Sequence, residues 1–263
     1  MNDTLYTSRL IKATALIPDT KALMSSWDLN QDLKTNFETA KRTNIFGKAT
    51  RRRIEDILNI FRQRYFDDPE VGEALVTLVQ GQIPAQWIDP LFYYYSVEND
   101  NTLKAIVLEV VAHRRLSGYQ DVSLEHVTRA LQEWVSEGKT MDKWGEDTIA
   151  HVARHSLASL RDFGVLKGKN TKTITPLYLP IKSFVFIAYE LWRHDKSGAN
   201  VLHSPEWNLF FLPIQGVERF FLEAHQERLL TYYAAGSLVR LEFPVNSLLE
   251  VARVLVERAH QPA

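Results

Sequence analysis

Cysteine is absent from this 263-residue chain. That excludes a disulfide framework, a cysteine-ligated zinc site and a thiol nucleophile, and it fits a reducing compartment. Long apolar runs are missing as well. The longest extends from about Phe184 to Tyr189, far short of the ~18 apolar residues of a membrane span. The N-terminus, MNDTLYTSRLIKATALIPDTK, is broken by charge before an apolar segment of signal-peptide length can form. A soluble, cytoplasmic protein without membrane contact is expected. Neither sign of charge is in excess: 31 basic residues stand against 32 acidic ones, for a net charge of −1. A uniformly basic coat is therefore excluded, and any nucleic-acid binding must come from local patches.

What the chain does contain is enough apolar material for a sizeable core. Hydrophobic residues make up 45% and charged residues 24%, which suits one large domain or two small ones. The charge is unevenly spread. Residues 41–64 hold Lys41, Arg42, Lys48, Arg51, Arg52, Arg53, Arg62 and Arg64 against only Glu55 and Asp56. Residues 65–102 have no Lys or Arg but carry Asp67, Asp68, Glu70, Glu73, Asp89, Glu98 and Asp100. Residues 151–173 are basic again through Arg154, Arg161, Lys167, Lys169 and Lys172, with His151 and His155. The plain explanation for the first island is ion pairing with the acidic segment that follows it.

Most of the chain has helical periodicity. Over 51–65, Ile54, Ile57, Leu58, Phe61 and Tyr65 form one stripe, and Thr50 is a natural N-cap. Three arginines open that helix, where its macrodipole prefers acids; an anion such as a phosphate at this end would account for them. Helices are also expected at 70–79, 103–116, 124–136 (capped by Ser123), 146–162, 181–193, within 215–235 and at 246–260, with an N-cap, Pro and acid at Ser204-Pro205-Glu206. Phe163-Gly164-Val165-Leu166-Lys167 and Lys172-Thr173-Ile174-Thr175 flank a Gly168-Lys169-Asn170-Thr171 turn and predict a ribbon ended by Pro176, and Leu238–Phe243 is a further strand candidate. The expected fold class is therefore mainly α. A helical N-terminal domain covers 1–98, and 99–263 contains a winged helix-turn-helix at about 103–178, with a small β-ribbon and C-terminal helices.

In a winged helix the third helix enters the major groove and the ribbon touches the flanking backbone. Here the helix 146–162 has an apolar stripe of Ile149, Val152, Ala153, Leu157 and Leu160. Its other face is expected to offer Thr148, His151, Arg154, His155, Ser159 and Arg161, and the ribbon Lys167, Lys169 and Lys172, to double-stranded DNA. Lys48, Arg51, Arg52 and Arg53 are the expected backbone contacts of the first island.

Three stretches taken together give a resemblance. They are Tyr6-Thr7-Ser8-Arg9-Leu10 with Ala15-Leu16-Ile17-Pro18, NIFGKATRRRIEDIL at 44–58, and SLASLRDFGVLKG at 156–168. In this order they resemble the BrxA family, small helical proteins of BREX phage-defence systems. The resemblance implies a mostly helical, DNA-binding accessory protein that works beside other BREX proteins, with no catalytic residues to carry over. Its matched basic positions here are Lys48, Arg51, Arg52, Arg53, Arg161 and Lys167.

Catalytic and cofactor motifs fail on their particulars. Gly47-Lys48-Ala49-Thr50 lacks the upstream glycine of a phosphate loop, since position 42 is Arg, and has Ala49 where Ser or Thr is required. His151 and His155 stand four apart, yet Val152 occupies the place where a zincin needs Glu, and no third ligand follows. Glu137-Gly138-Lys139 falls at a helix end, not on a nuclease strand. Phe92, Tyr93, Tyr94 and Tyr95, and Trp207, Phe210 and Phe211, suit a core better than base stacking. A non-enzymatic role with no cofactor and no metal is expected. Two alternatives stay open: a scaffold docking a larger defence enzyme, and binding of structured RNA.

Overall fold

The computed structural model describes residues 5–12, 14–169, 171–175, 177–236 and 238–261; the expected turn residue Asn170 and ribbon-ending Pro176 lie outside these. A 3-10 turn at Ser8–Lys12 precedes α1 (Ile17–Ser25). Local caps then start the next three helices. Asp32 accepts the Thr35 N–H at 2.7 Å and opens α2 (Leu33–Thr43). Thr50 accepts the Arg53 N–H at 3.3 Å and opens α3 (Arg51–Tyr65). Asp68 accepts the Glu70 N–H at 2.9 Å, with Pro69 beside it, and opens α4 (Pro69–Gln80). The predicted α3 stripe of Ile54, Ile57, Leu58, Phe61 and Tyr65 is buried throughout.

The helix α5 (Ala85–Glu98) runs through the middle of the protein and places Phe92, Tyr93, Tyr94 and Tyr95 in the core. Two of these aromatics also reach C-terminal elements: the Tyr93 hydroxyl donates to the Leu209 carbonyl at 2.9 Å and that of Tyr95 to Glu190 at 3.0 Å. Asp100 caps the next helix through the Leu103 N–H at 3.0 Å. That helix comprises α6 (Asn101–Ala105), a π-helical stretch (Ile106–Ala112) and α7 (His113–Leu116), so the single helix expected at 103–116 has wide turns in its middle.

Next come β1 (Asp121–Val122), α8 (Leu124–Ser136), α9 (Glu146–Asp162), β2 (Leu166–Lys167) and β3 (Lys172–Ile174). Ser123 caps α8 as predicted, and the His126 side chain accepts the Ser123 N–H in return at 3.0 Å. The ribbon of the sequence analysis is β2 against β3, with Lys167 opposite Thr173. A third strand joins it: β1 pairs with the far edge of β3, giving the antiparallel order β1-β3-β2. Two residues are too few for any alternation to reveal β1 in advance.

The C-terminal part consists of α10 (Ile181–His194), α11 (Gly198–Leu202), a 3-10 turn (Pro205–Phe210), α12 (Ile214–Gln226), a hairpin of β4 (Thr231–Ala235) and β5 (Leu238–Glu242), and α13 (Leu248–Ala259). Helix was expected across 215–235, but its last five residues are strand β4. Arg228 adopts a left-handed φ of 56° and ends the helical run, and the β-forming Thr231-Tyr232-Tyr233 then find β5. Ser204 does not cap a helix as predicted; its hydroxyl bonds the Glu206 carboxylate.

One continuous buried cluster links elements on both sides of residues 98–99. The last helix, α13, lies along α4, and a Cβ at Gly81 would meet Val256 at 2.4 Å, so only glycine permits this approach. Polar contacts reinforce the junction. Arg193 on α10 binds Glu70 at 3.1 Å and also Asp68, and Glu70 accepts the Leu248 N–H at 2.6 Å.

Candidate nucleic-acid interface

The basic residues converge because an N-terminal strap connects distant elements. Tyr6 donates its N–H to the Lys139 carbonyl at 2.8 Å and accepts the Met141 N–H at 2.9 Å, which fixes the α8–α9 connection. Thr7 and Thr102 exchange two hydrogen bonds of 2.9 Å, N–H to hydroxyl and hydroxyl to carbonyl. Leu10 is buried, and the Lys12 carbonyl accepts from the Arg53 guanidinium. The strap thus holds the start of α3 beside α9. Arg53 comes near enough to His155 for its charge to act on the imidazole.

His155 is half-buried, and its pKa is lowered, chiefly by burial and then by the charges of His151, Arg53 and Arg154. Its Nδ1 is buried with no hydrogen-bond partner among the described residues. The two imidazole rings of His151 and His155 lie 6.4 Å apart. No group of three metal-ligating side chains gathers anywhere among the described residues.

The expected contacts divide by exposure and pairing. Arg52 and Arg154 are exposed and have no carboxylate partner among the described residues; the same holds for Lys167 and Lys169 on the ribbon. His151 is exposed and Thr148 half-exposed on the same helix face. Arg51 pairs with Glu55 at 3.3 Å, Glu55 also with Lys41 at 2.8 Å, and Lys48 with Asp19 at 2.9 Å. Arg161 binds its neighbour Asp162 at 2.7 Å. None of these partners belongs to the acidic segment 65–102, so ion pairing with that segment does not explain the arginines that open α3. Its acids are used elsewhere: Asp89 pairs with Lys21, Glu98 with Lys104, and Asp68 and Glu70 with Arg193.

Two expected contact residues are corrected. Ser159 is fully buried, as are Val152 and Ser156, so the inward stripe of α9 is broader than its apolar residues suggested. Lys172 is 6% exposed. It shares the inward side of β3 with Ile174 while Thr173 points out, and its ammonium turns back to the Lys169 carbonyl at 3.1 Å. Burial, and then the charge of Arg161, lowers its pKa. It secures the turn and is not presented at the ribbon tip.

The family model of BrxA matches residues 4–190. The chain belongs to the BrxA family. Membership makes it a component of a BREX phage-defence system and points to other BREX proteins as its associates. The match spans the strap, α3 and the whole β1-β3-β2 unit. No curated protein and no solved structure matches the chain. Among the described residues no helix is long and apolar enough to cross a membrane.

Sequence reasoning missed two members of the cluster, Arg9 and Lys12. Both line a cleft of about 520 Å³ with Arg62 beside α3, and Lys12 pairs with Asp56 at 3.0 Å. The signal was present in the strap motif itself. It carried no charge cluster of its own and gained one only through its docking on α3.

Proposed function

We propose that this BrxA-family chain is a non-catalytic accessory protein that binds double-stranded DNA. In this reading the unit from α6 to β3 is a winged helix. The helix α9 enters the major groove through Thr148, His151, Arg154 and His155, and the β2–β3 wing sets Lys167 and Lys169 on the phosphate backbone. Arg52 and Arg53 at the start of α3 take a neighbouring phosphate, where the helix dipole adds to their charge. The observation that carries this reading is the strap at Ser8–Lys12, which packs on α9 and accepts from the Arg53 guanidinium of α3, so that one short segment touches both basic islands. A binding surface for an anion explains why Arg52, Arg154, Lys167 and Lys169 are exposed there without a carboxylate partner among the described residues.

The test is a salt titration of binding to a generic duplex of about 30 base pairs. With roughly six phosphate contacts, log affinity should fall with log salt at a slope of about −5. Charge reversal at Arg52 and Arg53, or at Lys167 and Lys169, should each flatten that slope. A slope that neither variant changes would remove this surface from DNA binding.

One observation favours a second reading, docking of another BREX protein. Leu116 at the end of α7 is 87% exposed and borders a groove of about 460 Å³ lined by Leu108, Ala112 and Phe211. Arg115 lies over the Phe211 ring at 4.9 Å. If wild type fails to bind duplex even at low salt, and Leu116→Glu abolishes co-purification with BREX partners, this reading replaces the first.

A further inference from the structure

Away from the basic cluster, a cavity of about 440 Å³ opens where α3, α5 and α10 meet. That is within the size range of sites for small organic ligands. Its wall carries five carboxylates, those of Asp67, Asp68, Glu98, Glu190 and Glu206. Several are neutralised. Arg193 holds Asp68 and Glu190, and Lys104 binds Glu98 at 2.8 Å and Glu206 at 3.5 Å.

What is left over is specific. The second oxygen of Glu98, Oε1, is buried with no hydrogen-bond partner. Asp67 is exposed and has no ion-pair partner among the described residues. Tyr94 is 3% exposed, and its hydroxyl forms no hydrogen bond among the described residues. Tyr94 lines the cavity together with Glu98, Glu190 and Glu206. Buried polar groups ordinarily find partners, so the free Glu98 oxygen, on a cavity that Tyr94 and Asp67 also line, calls for a donor.

The chemistry of that donor is restricted. The described residues hold no group of three metal-ligating side chains, so a bare metal ion lacks its ligand set. An alkylammonium needs less regular geometry: three N–H donors and one positive charge, with an aliphatic stem that can lie on apolar wall such as Val71 and Leu191. We propose that this cavity binds an alkylammonium cation of the aliphatic diamine or polyamine class, seated among Glu98, Tyr94 and Asp67. The site is independent of the DNA-binding reading and shares no side chain with it.

The experiment is calorimetric titration of the full chain with putrescine and with spermidine at fixed ionic strength. Magnesium chloride and a capped lysine amide serve as comparison ligands. Saturable binding of the amines is expected, weakened about tenfold or more by Glu98→Gln, the loss typical of a charge-assisted hydrogen bond. Tyr94→Phe and Asp67→Asn should each weaken it several-fold. Asp67 is at the surface, so Asp67→Asn keeps the test intact if Glu98→Gln does not fold. Capped lysine amide binding as tightly as putrescine would identify the source as a lysine side chain of a partner, with the same chemistry. Absence of saturable heat would show a cavity filled by water alone and overturn the proposal. Equal binding by all variants, or equal competition by magnesium, would show only charge screening and would overturn it too.

Discussion

The Lys12 carbonyl of the strap accepts from the Arg53 guanidinium at the start of α3, and on α9 burial, then the charges of His151, Arg53 and Arg154, lower the pKa of His155. Arg154 and His151 add their charges to the same imidazole. Protonating His155 in the free protein therefore adds a cation beside other cations. A DNA phosphate reverses this, because it favours the imidazolium. Binding should take up protons, and affinity for duplex should rise several-fold between about pH 7.5 and about pH 6. Measuring Kd across that range for wild type and His155→Gln checks it; the variant should show a visibly flatter profile.

The same lowered pKa has the opposite sign for stability. The unfolded chain binds this proton more readily than the folded one, so stability rises with pH across the interval between the two pKa values. The contribution is complete above about pH 6.5, the ordinary histidine value, and is lost as pH falls through the folded pKa. Thermal melts of the free protein should show that His155→Gln removes part of the acid destabilisation.

Ser159 provides a check on the corrected face of α9. Its hydroxyl is fully buried and has no partner. Ser159→Ala should stabilise the fold by about 1 kcal/mol, since an unsatisfied buried hydroxyl costs roughly that much. Duplex affinity should stay at the wild-type value. A loss of affinity with an unchanged melt would return Ser159 to the contact surface.

Arg52 and Lys172 should separate cleanly. Arg52→Ala should weaken duplex binding about tenfold at low salt and leave the melting temperature unchanged, as expected of an exposed phosphate contact. Lys172→Met should do the reverse, lowering stability by about 1 kcal/mol through loss of its bonds to the turn while changing the salt slope little. Parallel melts and salt titrations distinguish the two.

Arg193 ties α10 to α4 through Asp68 and Glu70. Arg193→Met leaves those acids and the well-buried Glu190 without their cation. A loss of about 2 kcal/mol is expected, less than for a fully buried pair because Asp68 and Glu70 are partly open to water. Urea denaturation would measure it.

The sequence disclosed elements whose signals are local. Thr50, Ser123 and the stripes of α3 and α9 depend on residues within a turn or two of one another, and each folds as its spacing predicts. The aromatic run Phe92–Tyr95 likewise went to the core. What stayed hidden depends on partners far along the chain. Strand β1 exists only because β3 offers it an edge. Thr231–Ala235 reads as a helix tail until β5 pairs with it. Lys172 looked like a ribbon-tip cation because alternation on a three-residue strand is too short to show which side faces inward. The first island looked set to pair with the acidic segment after it, and the strap at Tyr6–Lys12 that links it to α9 is far away in sequence.

The packing of α13 on α4 also bears on how the chain is made. The end of α4 at Gly81 is covered by Val256 of α13, which is made long after α4 itself. Until then the strap, α3 and the β1-β3-β2 unit are complete in sequence but rest on an apolar face without its lid. A chain cut short at residue 190 would hold every element matched by the family model and still leave that face of α4 uncovered. Covering α4 is thus a long-range step of folding that the local capping of its own first turn cannot supply.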